Sequence, residues 1–272
     1  MADPRVVLIT GASSGVGQSA ARLLSRRQYE VFGTSRTPAS AGDIPGVEML
    51  PLDVRRDDSV RACVEAVASR AGRLDVLINS AGYELAGALE ELSSEEARDQ
   101  FETNFFGVVR MVHAVLPWMR RQKRGLIINV SSLSGLSPIP FLGIYSASKF
   151  ALEGYTEALR QEVKPFNIQV AMVEPAFLRT PMMSHRQVCA NRIGEYDPWR
   201  RQALDAIRAY EEKGPGPDLV AETLLEIVSS TTPRLRHMIG QQAKSVARLR
   251  RFLPAGMYEQ GVRRTFSLDK AP

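Results

Sequence analysis

Val6-Val7-Leu8-Ile9 runs into Thr10-Gly11-Ala12-Ser13-Ser14-Gly15-Val16-Gly17, and a helical pattern follows at once over residues 18–27. Four apolar residues with no polar break read as a strand buried on both faces. The glycines behind it permit a tight turn, close approach of backbone to a pyrophosphate, and close packing of helix on strand. A helix N-terminus placed there offers free N–H groups and partial positive charge to phosphate. Three glycines alone would also fit an ordinary strand-to-helix turn. The strand–turn–helix order favours the first unit of a dinucleotide-binding sheet.

The alternation continues outward from this unit. Further short apolar runs fall at residues 30–34, 47–52, 74–79, 126–130 and 167–173, with helical patterns between them at 58–71, 94–121 and 145–163. In the 58–71 segment Val60, Cys63, Val64 and Val67 recur at three- and four-residue spacing. The 94–121 helix is expected to start near Ser93 or Ser94, with Glu95 and Glu96 in its first turn. Strands alternating with helices need crossover connections, and these build a parallel sheet covered on both faces. The expected fold is a doubly wound, Rossmann-type α/β sheet whose ligands sit beyond the carboxyl ends of the strands.

After Pro181 the pattern changes. Residues 182–214 mix Met182, Met183, His185, Ile193, Tyr196 and Trp199 with charged residues, and a helix is expected over 199–213. Gly214-Pro215-Gly216-Pro217 ends it. Asp218 reads as the N-cap of a helix through residue 229, residues 237–240 as a last short strand, and residues 241–252 as a basic amphipathic helix. The chain, residues 1–272, is thus expected to be one domain, with a substrate lid at 182–214 and a basic C-terminal extension at 241–272.

Hydrophobic residues make up 44% and charged residues 24%, which excludes a disordered or collagen-like chain. The net charge of +5 is unevenly placed: residues 1–180 hold 20 Lys/Arg and 20 Asp/Glu, whereas from Arg234 onward there are nine basic residues and two acidic ones. That segment reads as a solvated face, a surface for anionic lipid or an acidic partner, or an anionic-substrate site. No nucleic-acid reader motif accompanies it, so nucleic acid is not an expected partner. Cys63 and Cys189 have neither metal-ligand nor redox spacing, so unpaired thiols and no metal are expected. No apolar run approaches the length of a membrane span, and the N-terminus has no signal core; a cytoplasmic protein is the expectation.

The end of the second strand chooses between cofactors. An acidic residue there would bind a free ribose 2′-hydroxyl, whereas this chain has Thr34-Ser35-Arg36. The Arg36 guanidinium suits a 2′-phosphate, with the Ser35 and Ser13 hydroxyls able to add to it, so NADP(H) is the expected cofactor. Asp53, with Val54 beside it, ends the third strand, where it meets an adenine edge or caps a turn. Asn79-Ser80-Ala81-Gly82 ends the fourth and offers a small, backbone-rich surface for a nicotinamide ribose.

Tyr145-Ser146-Ala147-Ser148-Lys149 places a phenol and an ammonium on one helix face. A nearby cation favours phenolate and lowers the tyrosine pKa toward the working range. The spacing alone is common on helix surfaces, but here Ser131-Ser132 lies just past the fifth strand and a Pro/Gly-rich turn leads into the helix.

With these motifs in order, residues 5–180 resemble the short-chain dehydrogenase/reductase family. Thr10-Gly11-x-x-x-Gly15-x-Gly17 is similar to the family's cofactor turn, and Asn79-Ser80-Ala81-Gly82 to its Asn-Asn-Ala-Gly motif. The resemblance implies Tyr145 as general acid/base and Ser132 as the hydroxyl on the substrate oxygen, with Ser131 and Ser134 as rivals for that place. It implies Lys149 on the nicotinamide ribose, depressing the Tyr145 pKa, and Asn104 supporting a proton relay. The implied cofactor set comprises Gly11, Ser13, Ser14, Gly15, Val16 and Gly17 in the turn, then Ser35, Arg36, Asp53, Val54, Asn79, Ala81 and Gly82, with Tyr145, Lys149, Pro175 and Thr180. Pro175-Ala176 departs from the usual Pro-Gly, and a small cofactor-loop shift is expected from the extra methyl.

The run from Tyr145 through Phe150-Ala151-Leu152-Glu153-Gly154 is similar to that of hydroxysteroid and retinol dehydrogenases. It implies a bulky lipophilic ketone or alcohol, as do the methionines and aromatics of the lid if they face the ligand rather than their own domain. Tyr83, Phe141 and Phe177 are candidates for further apolar surface near Tyr145. The C-terminal Arg248, Arg250 and Arg251 are candidates for weak contact with an anionic membrane, or for a carrier phosphate. The alternatives in function are reduction of an acyl thioester or an enone, and a non-catalytic NADP sensor. The family resemblance also implies a homodimer or homotetramer.

Overall fold

The computed structural model describes residues 4–183 and 186–269. Its centre is a seven-stranded sheet in the order β3-β2-β1-β4-β6-β7-β9, with every neighbouring pair parallel. The strands are β1 (Val6–Thr10), β2 (Glu30–Ser35), β3 (Val47–Pro51), β4 (Val76–Asn79), β6 (Gly125–Val130), β7 (Ile168–Pro175) and β9 (Arg236–Ile239). β1 pairs with β2 on one side and β4 on the other, with Val7 opposite both Val31 and Val76. The strand order reverses between β1 and β4, so their carboxyl ends open a crevice suited to a ligand.

Two apolar layers sandwich this sheet. On one face α2 (Asp57–Ala71), α4 (Gly107–Gln122) and α5 (Gly143–Val163) bury Val60, Val67, Met111, Val115, Leu152 and Leu159 against Leu8, Leu77 and Ile127. On the other, α1 (Gly15–Arg26) and α7 (Asp218–Ser229) bury Ala20, Leu24, Val220 and Leu224 against Val7, Ile9 and Ile128. Alternate residues of a strand thus serve opposite cores, which is why the strands read as unbroken apolar runs.

The long helix expected over 94–121 is α3 (Ser94–Phe101) running on through a π-helical turn, Glu102–Phe106, into α4. Its start is a capping box: the Ser93 hydroxyl accepts from the Glu96 N–H, and the Glu96 carboxylate accepts from the Ser93 N–H. Asp218 is not the N-cap expected of it. Pro217 occupies that position, and the Asp218 carboxylate instead accepts from the Ser19 hydroxyl, joining α7 to α1.

Two features were not expected. β5 (Leu85–Ala86) pairs in parallel with β8 (Gln187–Val188) as a separate small sheet. After α8 (Gln241–Phe252), a further helix α9 (Ala255–Thr265) returns, and Phe266 just beyond it is buried with Tyr145, Ile139 and Leu142. The same cluster takes Ala203 and Ile207 from α6 (Asp197–Lys213), so lid and C-terminus both close on the carboxyl end of the sheet.

Candidate active site

The turn after β1 is held by close backbone approach. Gly11 has φ +69°, and a Cβ there would lie 2.8 Å from the Ala81 Cα. A Cβ on Gly17 would lie 2.3 Å from the Gly11 carbonyl oxygen. The Thr10 hydroxyl accepts from the Ser80 and Ala81 N–H groups at 3.0 Å each, locking the ends of β1 and β4 together. Ser14 stands at the N-cap of α1 with extended backbone and makes no side-chain cap bond, leaving first-turn N–H groups for a phosphate.

A cavity of about 890 Å³ runs from this turn across the carboxyl ends of the strands. Its wall brings together Gly11, Ser13, Ser14, Gly15, Val16, Ser35, Arg36, Asp53, Val54, Ala81, Gly82, Pro175 and Thr180 with Asn104, Ser132, Tyr145 and Lys149. Gly17 and Asn79 stand behind the wall. Gly17 packs on Gly11, and the Asn79 amide donates to Asn129 Oδ1 at 2.9 Å, with Asn129 donating in turn to Thr156. Asp53 serves the turn as well, since its carboxylate accepts from the Arg55 N–H at 3.0 Å. Arg36 is exposed and makes no hydrogen bond or ion pair with another described residue. This wall fits a dinucleotide phosphate: side chains would fill the glycine cradle, and the guanidinium at its rim is uncommitted.

At the far end α5 presents Tyr145 and Lys149, both buried. The Ser132 hydroxyl accepts from the Ser134 N–H at 3.1 Å and stands on the same cavity wall as Tyr145. Ser131 is occupied elsewhere, donating to Glu153, which leaves Ser132 as the serine at the phenol. Burial pushes the Tyr145 pKa up, and the Glu84 carboxylate pushes it further. This differs from the expected depression by Lys149. The ammonium is 5.8 Å from the Tyr145 ring centroid and donates to the Val130 carbonyl at 2.8 Å. Burial lowers Lys149 to about 8, against the opposing pull of Glu153 and Glu84.

Asn104 sits in the π-helical turn, where the extra residue rotates its amide toward the site. Its Oδ1 accepts from the Tyr83 N–H at 3.1 Å, and its Nδ2 donates to the Tyr83 carbonyl at 3.0 Å and faces Ser148 Oγ at 3.4 Å. Ala176 takes no left-handed φ, so its methyl adds no backbone strain; its N–H donates to the Ile239 carbonyl at 2.9 Å.

The lid contributes differently from its sequence reading. Met182 lines the cavity, but Ile193, Tyr196 and Trp199 do not. The Tyr196 hydroxyl donates to Glu90 at 2.7 Å and its ring meets Phe141 edge-on, while the Ile193 N–H donates to Glu91. The Met183 side chain and His185 lie outside the described residues. Tyr83 and Phe177 do line the cavity, joined by Ile139, Leu142 and Ile207. Two acids absent from the sequence reading, Glu84 and Glu211, complete the wall. No spacing rule connects them, since they come from the residue before β5 and from α6.

A phosphate cradle that passes without interruption into a buried Tyr–Ser–Lys centre defines a nicotinamide-dependent oxidoreductase. The chain belongs to the short chain dehydrogenase family, whose sequence description matches residues 5–188. It is 42% identical over 264 residues to the 3-ketodihydrosphingosine reductase of Bacteroides thetaiotaomicron, covering 96% of this chain and 97% of that protein. It is 37% identical over 277 residues to retinol dehydrogenase 8 of Bos taurus, covering 94% and 88%. A solved short-chain dehydrogenase from Streptomyces avermitilis superposes with a TM-score of 0.83 at 30% identity over the whole of both chains.

Proposed function

We propose that this protein is an NADPH-dependent ketoreductase acting on a long-chain, lipid-like ketone of the 3-ketodihydrosphingosine type. The observation that carries the reading is one continuous cavity, with Arg36 at one end, Tyr145 and Ser132 beyond it, and Ile139, Leu142, Phe177, Met182 and Ile207 as an apolar wall past the phenol. The similarity to a 3-ketodihydrosphingosine reductase over almost the full length of both chains supports the same substrate class.

In this reading the glycine turn and the first turn of α1 bind the pyrophosphate, and Arg36 with Ser35 and Ser13 holds the 2′-phosphate. A nicotinamide held by these residues would supply the hydride for the carbonyl carbon. The Ser132 hydroxyl orients the carbonyl oxygen, and the Tyr145 phenol gives its proton to the alkoxide forming there. Lys149 places its charge beside the ribose, and Asn104 with Ser148 leads replacement protons toward Tyr145. The working form is a homodimer or homotetramer in the cytoplasm, in weak contact with anionic membrane through its C-terminal helices.

The test measures NADPH and NADH consumption over 3-ketodihydrosphingosine, retinal, a steroid ketone, a 3-oxoacyl thioester and an enone. The expected result is fastest turnover of the long-chain ketone with NADPH. In Arg36→Ala, kcat/KM for NADPH falls by about tenfold or more, the worth of a charge-assisted bond to phosphate. Equal efficiency with both cofactors in the parent enzyme, or faster turnover of the thioester or enone, overturns the reading.

A further inference from the structure

Beside Tyr145 the wall carries a pair of acids that the reduction of a neutral ketone leaves unused. Arg186 bridges two carboxylates: its guanidinium donates to Glu84 Oε2 at 2.7–2.8 Å and to Glu211 Oε1. Glu84 and Glu211 line the cavity and Arg186 does not, so the cavity sees the acids with their one shared cation behind them. Glu211 is only 6% exposed, and its Oε2 has no hydrogen-bond partner among the described residues. Two further cations reach the pair through charge alone, Lys149 toward Glu84 and Arg208 toward Glu211, and the Lys149 ammonium donates to the Val130 carbonyl.

A buried carboxylate oxygen without a hydrogen-bond partner is costly until a donor reaches it, and an ammonium is the donor that also matches its charge. Burial, against the pull of Arg186, pushes Glu211 up to about 7, so near neutral pH this acid is only partly ionised. The position is close to the chemistry, because Glu84 is the charge that acts most on the Tyr145 phenol.

We infer that Glu84 and Glu211 form a subsite for a substrate ammonium adjacent to the reacting carbonyl, so that the preferred substrate is a long-chain α-amino ketone. The inference rests on the ketoreductase reading and narrows it. Among lipophilic ketones the wall favours one with a cationic nitrogen on the carbon next to the carbonyl, as 3-ketodihydrosphingosine has. Steroid and retinoid carbonyls bring no cation to it, and an acyl thioester with a phosphorylated carrier brings the wrong charge. The bound ammonium donates to the unpartnered Glu211 oxygen and eases charge development on the carbonyl oxygen.

The experiment separates binding from turnover. Calorimetry on the enzyme loaded with NADP compares a medium-chain amino diol with the diol of equal length that lacks the nitrogen. The parent protein is expected to bind the amine about tenfold or more tightly, as buried charge pairs do. Glu84→Gln and Glu211→Gln, which keep an oxygen for Arg186, are expected to bring the two ligands to near-equal affinity. Should either variant lose NADP binding and hence its fold, the other carries the comparison. Equal binding of both ligands by the parent overturns the subsite, as does a preference that survives in both variants. Reduction of the corresponding ketones is then followed with NADPH on the same protein. Discrimination for the amine without ketone reduction removes the ketoreductase reading and keeps the subsite, whereas reduction without discrimination does the reverse.

Discussion

Tyr145 holds its proton at neutral pH, because burial and Glu84 both oppose the phenolate. That state suits donation to an alkoxide, which is the reductive direction. Tyr145→Phe is expected to lower kcat by about 10²–10⁴-fold, the usual worth of a positioned acid, while NADPH affinity stays close to the parent's. Near-parent turnover in steady-state assays would remove Tyr145 from this role. Lys149, at about 8, is charged below that value and loses its charge as pH rises through it. The reduction rate is therefore expected to fall on the alkaline side of about pH 8, and Lys149→Arg, permanently charged, to move that limb upward. A flat profile in the parent to pH 10 would contradict it. Tyr145 and Lys149 could be singled out because their four-residue spacing puts them on one helix face and Ser132, just past the preceding strand, supplies the context that the spacing lacks. Glu84, Arg186 and Glu211 were not, since each taken alone reads as a solvated charge and only the tertiary fold brings them together.

At the scale of elements, Arg236 on β9 ties together Glu174 at the end of β7 and Glu153 and Glu157 on α5. Glu174 is fully buried with one oxygen unpartnered among the described residues, and burial, then Glu153, raise its pKa above the ordinary glutamate value. The folded chain thus keeps a proton that the unfolded chain sheds above the ordinary value near 4.5. The contribution of this group is full below that value and declines as pH rises past it. Glu174→Gln removes the dependence, so Tm of the variant relative to the parent is expected to rise from about pH 5 to pH 8. A difference that stays constant or falls across that range would refute the assignment. Apolar runs and glycine turns made the seven main strands readable. The β5–β8 pair was not, because two-residue strands carry no periodicity. Nor was α9, where Gly256 and Gly261 obscure the helical pattern.

At the scale of the whole molecule the C-terminal helices α8 and α9 carry exposed apolar residues. Leu249, Phe252 and Met257 are exposed there, Phe252 by 77%. Arg250, exposed, donates to the Leu136 carbonyl and lies 4.8 Å from the Phe150 ring centroid. The side chains of Arg248 and Arg251 lie outside the described residues. No helix among the described residues is long and apolar enough to cross a membrane. Contact with a bilayer would therefore be interfacial, through the exposed apolar residues with Arg263 and Arg264 nearby in sequence. Co-sedimentation with anionic vesicles is expected to weaken at high salt and in Phe252→Ser combined with Met257→Ser; binding unchanged in that variant would exclude this face.

The all-parallel sheet also governs how the chain reaches its native state. Each strand pair must close a crossover before its hydrogen bonds form, so the sheet is built from contacts distant in sequence and assembles slowly. β9 pairs with β7 after an excursion that includes α6 and α7, with Met172 opposite Arg236 and Pro175 opposite Ile239. During synthesis β7 therefore waits as an open edge until those residues are made. A chain ending before Arg236 would keep that edge permanently, exposing unpaired backbone to other unfinished copies.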